Sequence, residues 1–151
     1  MLTNLLDAGI RSIIDLMFEE EINDHEQGER YLHYEDRIET LANERDEFVE
    51  IQNHSIDATS PPPVQELELI VDAIDAEIDG RNSPTLVHCS DGHGRTGLIV
   101  GCYLARHGDA SGNDVLAKIA KLRAFDPELA EHKSPNYIVQ ERIVTRWKEG
   151  Q

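Results

Sequence analysis

Residues 87–97 read Val-His-Cys-Ser-Asp-Gly-His-Gly-Arg-Thr-Gly, with five residues between Cys89 and Arg95. The run before them has the apolar character of a strand, and the run after them has helical spacing. Cys89 is therefore expected at a strand end, with Gly92 and Gly94 in a short turn and Arg95 at a helix start. Such a turn makes an anion cradle. The backbone N–H groups of Ser90, Asp91, Gly92, His93, Gly94 and Arg95 can converge on one point, and the helix N-terminus adds partial positive charge. Glycines let the backbone approach a ligand closely. A tetrahedral dianion such as phosphate fits this cradle, and the planar guanidinium of Arg95 can hold two of its oxygens at once. The same positive field favours the thiolate of Cys89, which is the nucleophilic form. Taken singly, a cysteine at a strand end is most often a small buried hydrophobe and a glycine turn is often only a turn. The combination points instead to a cysteine that attacks phosphorus. Rival motifs fail: no Gly-Lys-Ser/Thr triplet of a nucleotide loop is present. A zinc set drawn from His88, Cys89, His93, Cys102 and His107 would need ligands facing both sides of one strand, loop and helix.

The elements that must position this loop alternate along the chain. LTNLLDAGI reads as a short helix ended by Gly9, and RSIIDLM as a buried strand. RYLHYEDRIETLANER suits a helix with Leu32, Ile38 and Leu41 inward, and DEFVEIQ suits a strand. Three prolines, Pro61 to Pro63, give a rigid entry to a helix whose Val64, Leu67, Ile70, Val71, Ile74 and Ile78 share one face as far as Gly80. SPTLVHC is the strand before the loop, and RTGLIVGCYLARHG the helix after it, closed by Gly108. Ser111 and Asp114 resemble a capping pair for VLAKIAKLRAF, and Ser134 with Pro135 opens a last helix, NYIVQERIVTRW, anchored by Trp147. His107 is expected to cap or complement a helix C-terminus, and Cys102 to be core. Strands alternating with helices imply an α/β fold around a parallel sheet.

The chain has 151 residues, consistent with a single domain over 1–151. Its 30 acids against 14 bases give a formal charge of -16. A field of that sign opposes nucleic-acid phosphates and anionic membrane surfaces, so neither is an expected partner. Residues 19–50 hold 13 acids and are expected to form a solvated face. No apolar stretch reaches the 18 or so residues a spanning helix needs, and the start lacks a basic segment followed by a long apolar one. Two cysteines are too few for a disulfide scaffold. A reducing, cytoplasmic setting is the expectation.

The loop HCSDGHGRTG resembles the signature of the cysteine-dependent protein tyrosine phosphatase superfamily, and the chain is most similar to its small dual-specificity branch. LLDAGIRSIIDL resembles that branch's helix-strand opening, HSIDATSPPP its general-acid loop, and SPNYIVQERIVTRW its closing helix. The resemblance implies a central, mostly parallel sheet of about four to five strands flanked by helices on both faces. It implies Cys89 as nucleophile, Arg95 and the amides of residues 90–95 as the phosphate cradle, and Asp57 as the acid that protonates the leaving oxygen. An acid is chemically required, because an alkoxide or phenoxide leaves poorly. His88 would steady the loop, Thr96 would hydrogen-bond the sulfur, and Gln140 would orient the hydrolytic water. No cofactor or metal is implied. The expected function is a phosphomonoester hydrolase acting on a phosphorylated protein or peptide, with phosphotyrosine favoured. Two alternatives stand beside it: a phosphatase of a small metabolite or inositol phosphate, and a phosphate-binding pseudophosphatase. Asp91 motivates the last, since a carboxylate at this loop position opposes a dianion.

Overall fold

A computed structural model describes residues 2–22 and 34–151. Helix α1 (Leu2–Asp7) ends before Gly9, whose φ of 83° needs a residue without a Cβ, and leads into strand β1 (Ser12–Asp15). Short α2 (Glu19–Ile22) follows, then α3 (Tyr34–Asn43), β2 (Glu50–Asn53) and the long α4 (Val64–Arg81). Strand β3 (Thr85–His88) runs through the loop into α5 (Gly94–Arg106). After it come α6 (Asn113–Arg123), α7 (Pro127–Glu131) and α8 (Ile138–Arg146). Leu32 of the expected third helix lies outside the described residues, while Ile38 is buried and Leu41 half-buried as its spacing requires.

The sheet is parallel, in the order β2-β1-β3, with Ile13 of β1 level with Ile51 and Leu86. All four residues of β1 are buried, as a central parallel strand covered on both faces demands. Side chains alternate across the sheet. Ile13 packs with Leu6, Ile38, Ala42 and Val49 beneath α1 and α3, whereas Ile14 joins the larger core of α4, α5, α6 and α8. The α/β class with helices on both faces is what the sequence implies. The strand count is lower than the four to five expected: three strands are present among the described residues. The chain itself offers only three strand-like runs, and the others were implied by resemblance.

Two helix starts also differ from expectation. Gly112, at φ 56°, precedes α6 and no side chain caps it, so Ser111 and Asp114 form no capping box. The last helix begins at Ile138 rather than beside Pro135, and Ser134 serves elsewhere. Helix α7 was not anticipated, although Asp126-Pro127-Glu128 is a sound start: Asp126 Oδ1 accepts from Glu128 N and Leu129 N, and Pro127 opens the helix. Trp147 is buried where α8 ends, Cys102 is wholly buried in α5, and His107 caps α5 with its Nε2 2.8 Å from Asp75 Oδ1. No helix among the described residues is long and apolar enough to cross a membrane.

Candidate active site

The carboxyl ends of the three strands open on one place, the usual position for a ligand in a parallel sheet. Past β3 lies Cys89, past β1 lie Leu16 and Met17, and past β2 the chain runs to Ile56 and Asp57. Backbone bonds from Leu16 N to His88 O, His54 N to Asp15 O and Ile56 N to Leu16 O carry the ladder beyond the strands and keep these segments side by side.

Cys89 is 5% exposed, and Thr96 Oγ1 donates to its Sγ at 3.1 Å from the first turn of α5. Arg95, 3% exposed, turns back beneath the loop. Its Nη1 donates to Leu16 O and Ile56 O, both at 3.3 Å, and its Nη2 to Ser90 Oγ at 3.0 Å. The guanidinium is thus fixed by all three strand-end segments. Glu21 of α2 also accepts from the guanidinium, with Oε2 2.6 Å from Nη1 and Oε1 3.0 Å from Nη2. Burial raises the Glu21 pKa, but hydrogen bonds from Arg95 and the Phe18 amide outweigh it, and the net shift is downward. Within an acidic stretch expected to be solvated, Glu21 is bound at the candidate site, and Glu47 and Glu50 pair with Arg11 and Arg81. The partner of Glu21 lies 74 positions on, and no local signal marks it.

The cradle carries a second carboxylate. Asp91 Oδ1 accepts from the His93 N–H at 3.0 Å and stands 3.7 Å from Cys89 Sγ, which donates to it as a thiol. Asp91 therefore points inward, onto an amide expected to hold phosphate. Asp91 thus occupies the His93 amide, and Glu21 the arginine fork, of the expected cradle.

The loop is held from outside as well. Ser134 Oγ donates to His93 O at 2.7 Å, and Arg123 of α6 donates to Gly92 O at 2.6 Å. A Cβ on Gly94 would come within 2.5 Å of Asn136 Oδ1, and one on Gly97 within 2.9 Å of Pro135 N. These glycines let the segment 134–136 lie directly on the loop and on α5. Arg123, Ser134 and Asn136 escape sequence reasoning, because only the fold brings them to the loop. Lys133 next to them is paired with Glu141.

His88 faces away from the cradle's crest: its Nε2 is 2.9 Å from Tyr34 OH and 3.9 Å from Asp15 Oδ1. Asp15, wholly buried, also accepts from Met17 N at 2.8 Å, so the trio ties α3 to the ends of β1 and β3. Burial and the neighbouring Asp15 push the Tyr34 hydroxyl pKa up, keeping it a proton donor. Gln140 is wholly buried: Nε2 donates to Ala58 O at 3.2 Å, and Oε1 accepts from Tyr137 N at 3.3 Å. It links α8 to the residue beside Asp57.

Asp57 sits on the exposed rim and caps its own turn. Its Oδ1 accepts from Thr59 N at 2.8 Å, Thr59 Oγ1 at 2.9 Å and Ser60 N at 2.8 Å. The Thr59 amide above all, then its hydroxyl and the Ser60 amide, hold the carboxyl below the usual range. The site thus joins a thiol, a buried guanidinium, the His93 amide and a rim carboxyl. That set can bind a phosphoryl group and pass it to sulfur.

The chain is similar to known proteins in sequence and in fold. The family model described as "Tc-R-P: Polymorphic toxin system, DSP-PTPase phosphatase" matches residues 1–109. Inositol diphosphatase DSP3 of Arabidopsis thaliana is 43% identical over 44 residues, 29% of this chain but only 22% of that relative's length. The crystal structure of Tk-PTP in the active form superposes with a TM-score of 0.67 at 18% identity, over 98% of this chain and 86% of that one. The core catalytic domain of the PP-IP phosphatase SIW14 from S. cerevisiae gives 0.63 at 17% identity, over 96% and 73%. Fold, loop and family match agree: the chain belongs to the DSP-PTPase phosphatase family, within the cysteine-dependent protein tyrosine phosphatase superfamily.

Proposed function

We propose that this protein, as one domain over residues 1–151, hydrolyses phosphate monoesters through a cysteinyl-phosphate at Cys89, without a metal. The observation that carries the reading is the contact of Thr96 Oγ1 with Cys89 Sγ at 3.1 Å, on a loop whose Arg95 lies buried beneath it. The thiolate attacks phosphorus, an S–P bond forms, and the ester O–P bond breaks as Asp57 gives its proton to the departing oxygen. Arg95 and the loop amides hold the three equatorial oxygens. Water then attacks phosphorus, its proton returns to Asp57, and the S–P bond breaks with Thr96 donating to the released sulfur. Gln140 keeps the acid loop in reach, which also places its amide beside the path of that water.

The substrate is a phosphorylated protein or peptide, phosphotyrosine first, and the setting is cytoplasmic. The charge of -16, with Asp91 and Glu21 at the cradle, favours a substrate with one phosphate over a polyanion. A second reading, hydrolysis of an inositol polyphosphate or diphosphate, is favoured by the names of DSP3 and SIW14. Turnover of p-nitrophenyl phosphate in the presence of a chelator tests the chemistry. Wild-type activity should persist and Cys89→Ser should abolish it; activity that survives Cys89→Ser sinks the mechanism. A phosphotyrosine peptide and a diphosphoinositol, compared by kcat/KM, decide the substrate. If wild type is inert and Asp91→Ala turns over, the protein is a phosphate-binding pseudophosphatase.

A further inference from the structure

Arg123 is placed as no surface arginine needs to be. Its guanidinium lies between α6, α7 and the crest of the phosphate loop, and its three bonds fan out to three acceptors. Nη1 donates to Gly92 O at 2.6 Å, and Nη2 to His93 Nδ1 at 2.5 Å and to Leu129 O at 3.2 Å. Lysine, a single point donor, cannot reach three acceptors arranged this way. The bond to Gly92 O has a consequence inside the cradle. A trans peptide is planar, so its C=O and N–H point in opposite directions. With the Gly92 carbonyl drawn outward to Arg123, the N–H of His93 in the same peptide points inward, where Asp91 Oδ1 meets it at 3.0 Å. Ser134 does the same for the next peptide through His93 O. Gly92 needs such a hold, since its φ of 71° lies in the region glycine enters freely and leaves freely.

We propose that Arg123 is a positioning residue for the phosphate loop, holding the Gly92 carbonyl outward so that the His93 amide is aimed at the substrate's phosphoryl group. This rests on the phosphate-binding reading of the loop given above. Arg123 touches no reacting atom. The imidazole of His93 takes part as an acceptor, so it is neutral while the fan is intact. It is packed against His132 at a ring distance of 4.7 Å. Burial lowers its pKa first, and Arg123 and His132 lower it further against the opposing pull of Asp91 and Glu128.

The test uses the full chain with Arg123→Met and Arg123→Lys, and reads tungstate affinity by calorimetry beside kcat and KM for p-nitrophenyl phosphate. Arg123→Met should weaken tungstate binding about tenfold, the worth of one well-aimed charge-assisted hydrogen bond, and lower kcat/KM to match. Arg123→Lys, which still reaches the Gly92 carbonyl, should recover part of the loss. In the Met variant the His93 ring signals should titrate at higher pH, while the partial rescue by Lys separates aim of the carbonyl from simple packing. A folded Arg123→Met that binds tungstate as wild type does overturns the inference. Should Arg123→Met fail to fold, Arg123→Gln, too short to reach the Gly92 carbonyl, decides: a several-fold weakening supports the proposal and a wild-type affinity overturns it. Tungstate binding needs no turnover. A wild type that binds tungstate in an Arg123-dependent way but shows no Cys89-dependent hydrolysis would defeat the hydrolase reading and leave this one standing.

Discussion

The two halves of the site are held in different ways. The loop that carries Cys89 is fixed by Thr96 on the sulfur and by residues remote in sequence: Arg123 on the Gly92 carbonyl, Ser134 on the His93 carbonyl, and segment 134–136 against Gly94 and Gly97. Asp57, across from it, is satisfied almost wholly by Thr59 and Ser60, its neighbours in the chain, and its side chain is exposed. A phosphate cradle works by having its dipoles fixed before the substrate arrives, since nothing is then spent on turning them. An acid works by meeting the leaving oxygen within hydrogen-bond reach, and in a free site that geometry is often unmade. On the proposed reading, the contrast predicts rigidity in the half that binds phosphate and movement in the half that donates the proton. Gln140 marks the boundary, buried on the rigid side and bonded to Ala58 on the other.

The sharpest division comes from leaving groups. Asp57→Asn should lower kcat about 10²–10⁴-fold on an alkyl phosphate, whose alkoxide needs a proton, and much less on p-nitrophenyl phosphate. Equal losses on both would show that Asp57 serves the turn and not the reaction. Next in size is the braced half. Gly97→Ala adds a methyl against the Ser134 hydroxyl and the Pro135 backbone, which has no flexible end to give way. The expected cost is about 1–3 kcal/mol of stability by chemical denaturation, together with weaker phosphate inhibition. An alanine variant with wild-type stability and wild-type phosphate affinity would break the contrast, because segment 134–136 would then not be pressing on the loop.

What the sequence reveals follows the same line. Elements written in local pattern are legible: the apolar face of α4, the stop at Gly9, the strand before Cys89 and the helix from Gly94. Cys89 at a strand end and Arg95 at a helix start are legible because a local spacing sets both positions. The supports are not. Arg123 reads as one basic residue at a helix end and Ser134 as a helix opener, since nothing nearby in the chain shows what the fold sets beside them, and Gln140 is marked only by the family resemblance. Glu21 sits in a run of acids, and its pairing with Arg95 exists only because β1 and β3 are neighbours in the sheet. The expectation of more strands fails for a related reason: a resemblance carries a whole architecture, whereas this chain covers its one central strand with helices directly.

The smallest expected effect tests the acid's local hold. Three bonds to Asp57 Oδ1 favour its ionised form and keep its pKa below the usual carboxylate range. A general acid must carry its proton when substrate is bound, so activity falls as pH rises through that pKa, and a low value confines the descending limb to acid pH. Thr59→Val removes the hydroxyl bond and leaves both amide bonds in place. Losing a bond to the charged form raises the pKa, so the descending limb of kcat on an alkyl phosphate should move to higher pH. With Asn at position 57 the same valine should leave the profile unmoved, because no proton remains there to shift. A limb that moves equally in both backgrounds would place the titrating group elsewhere and take the acid's role from Asp57.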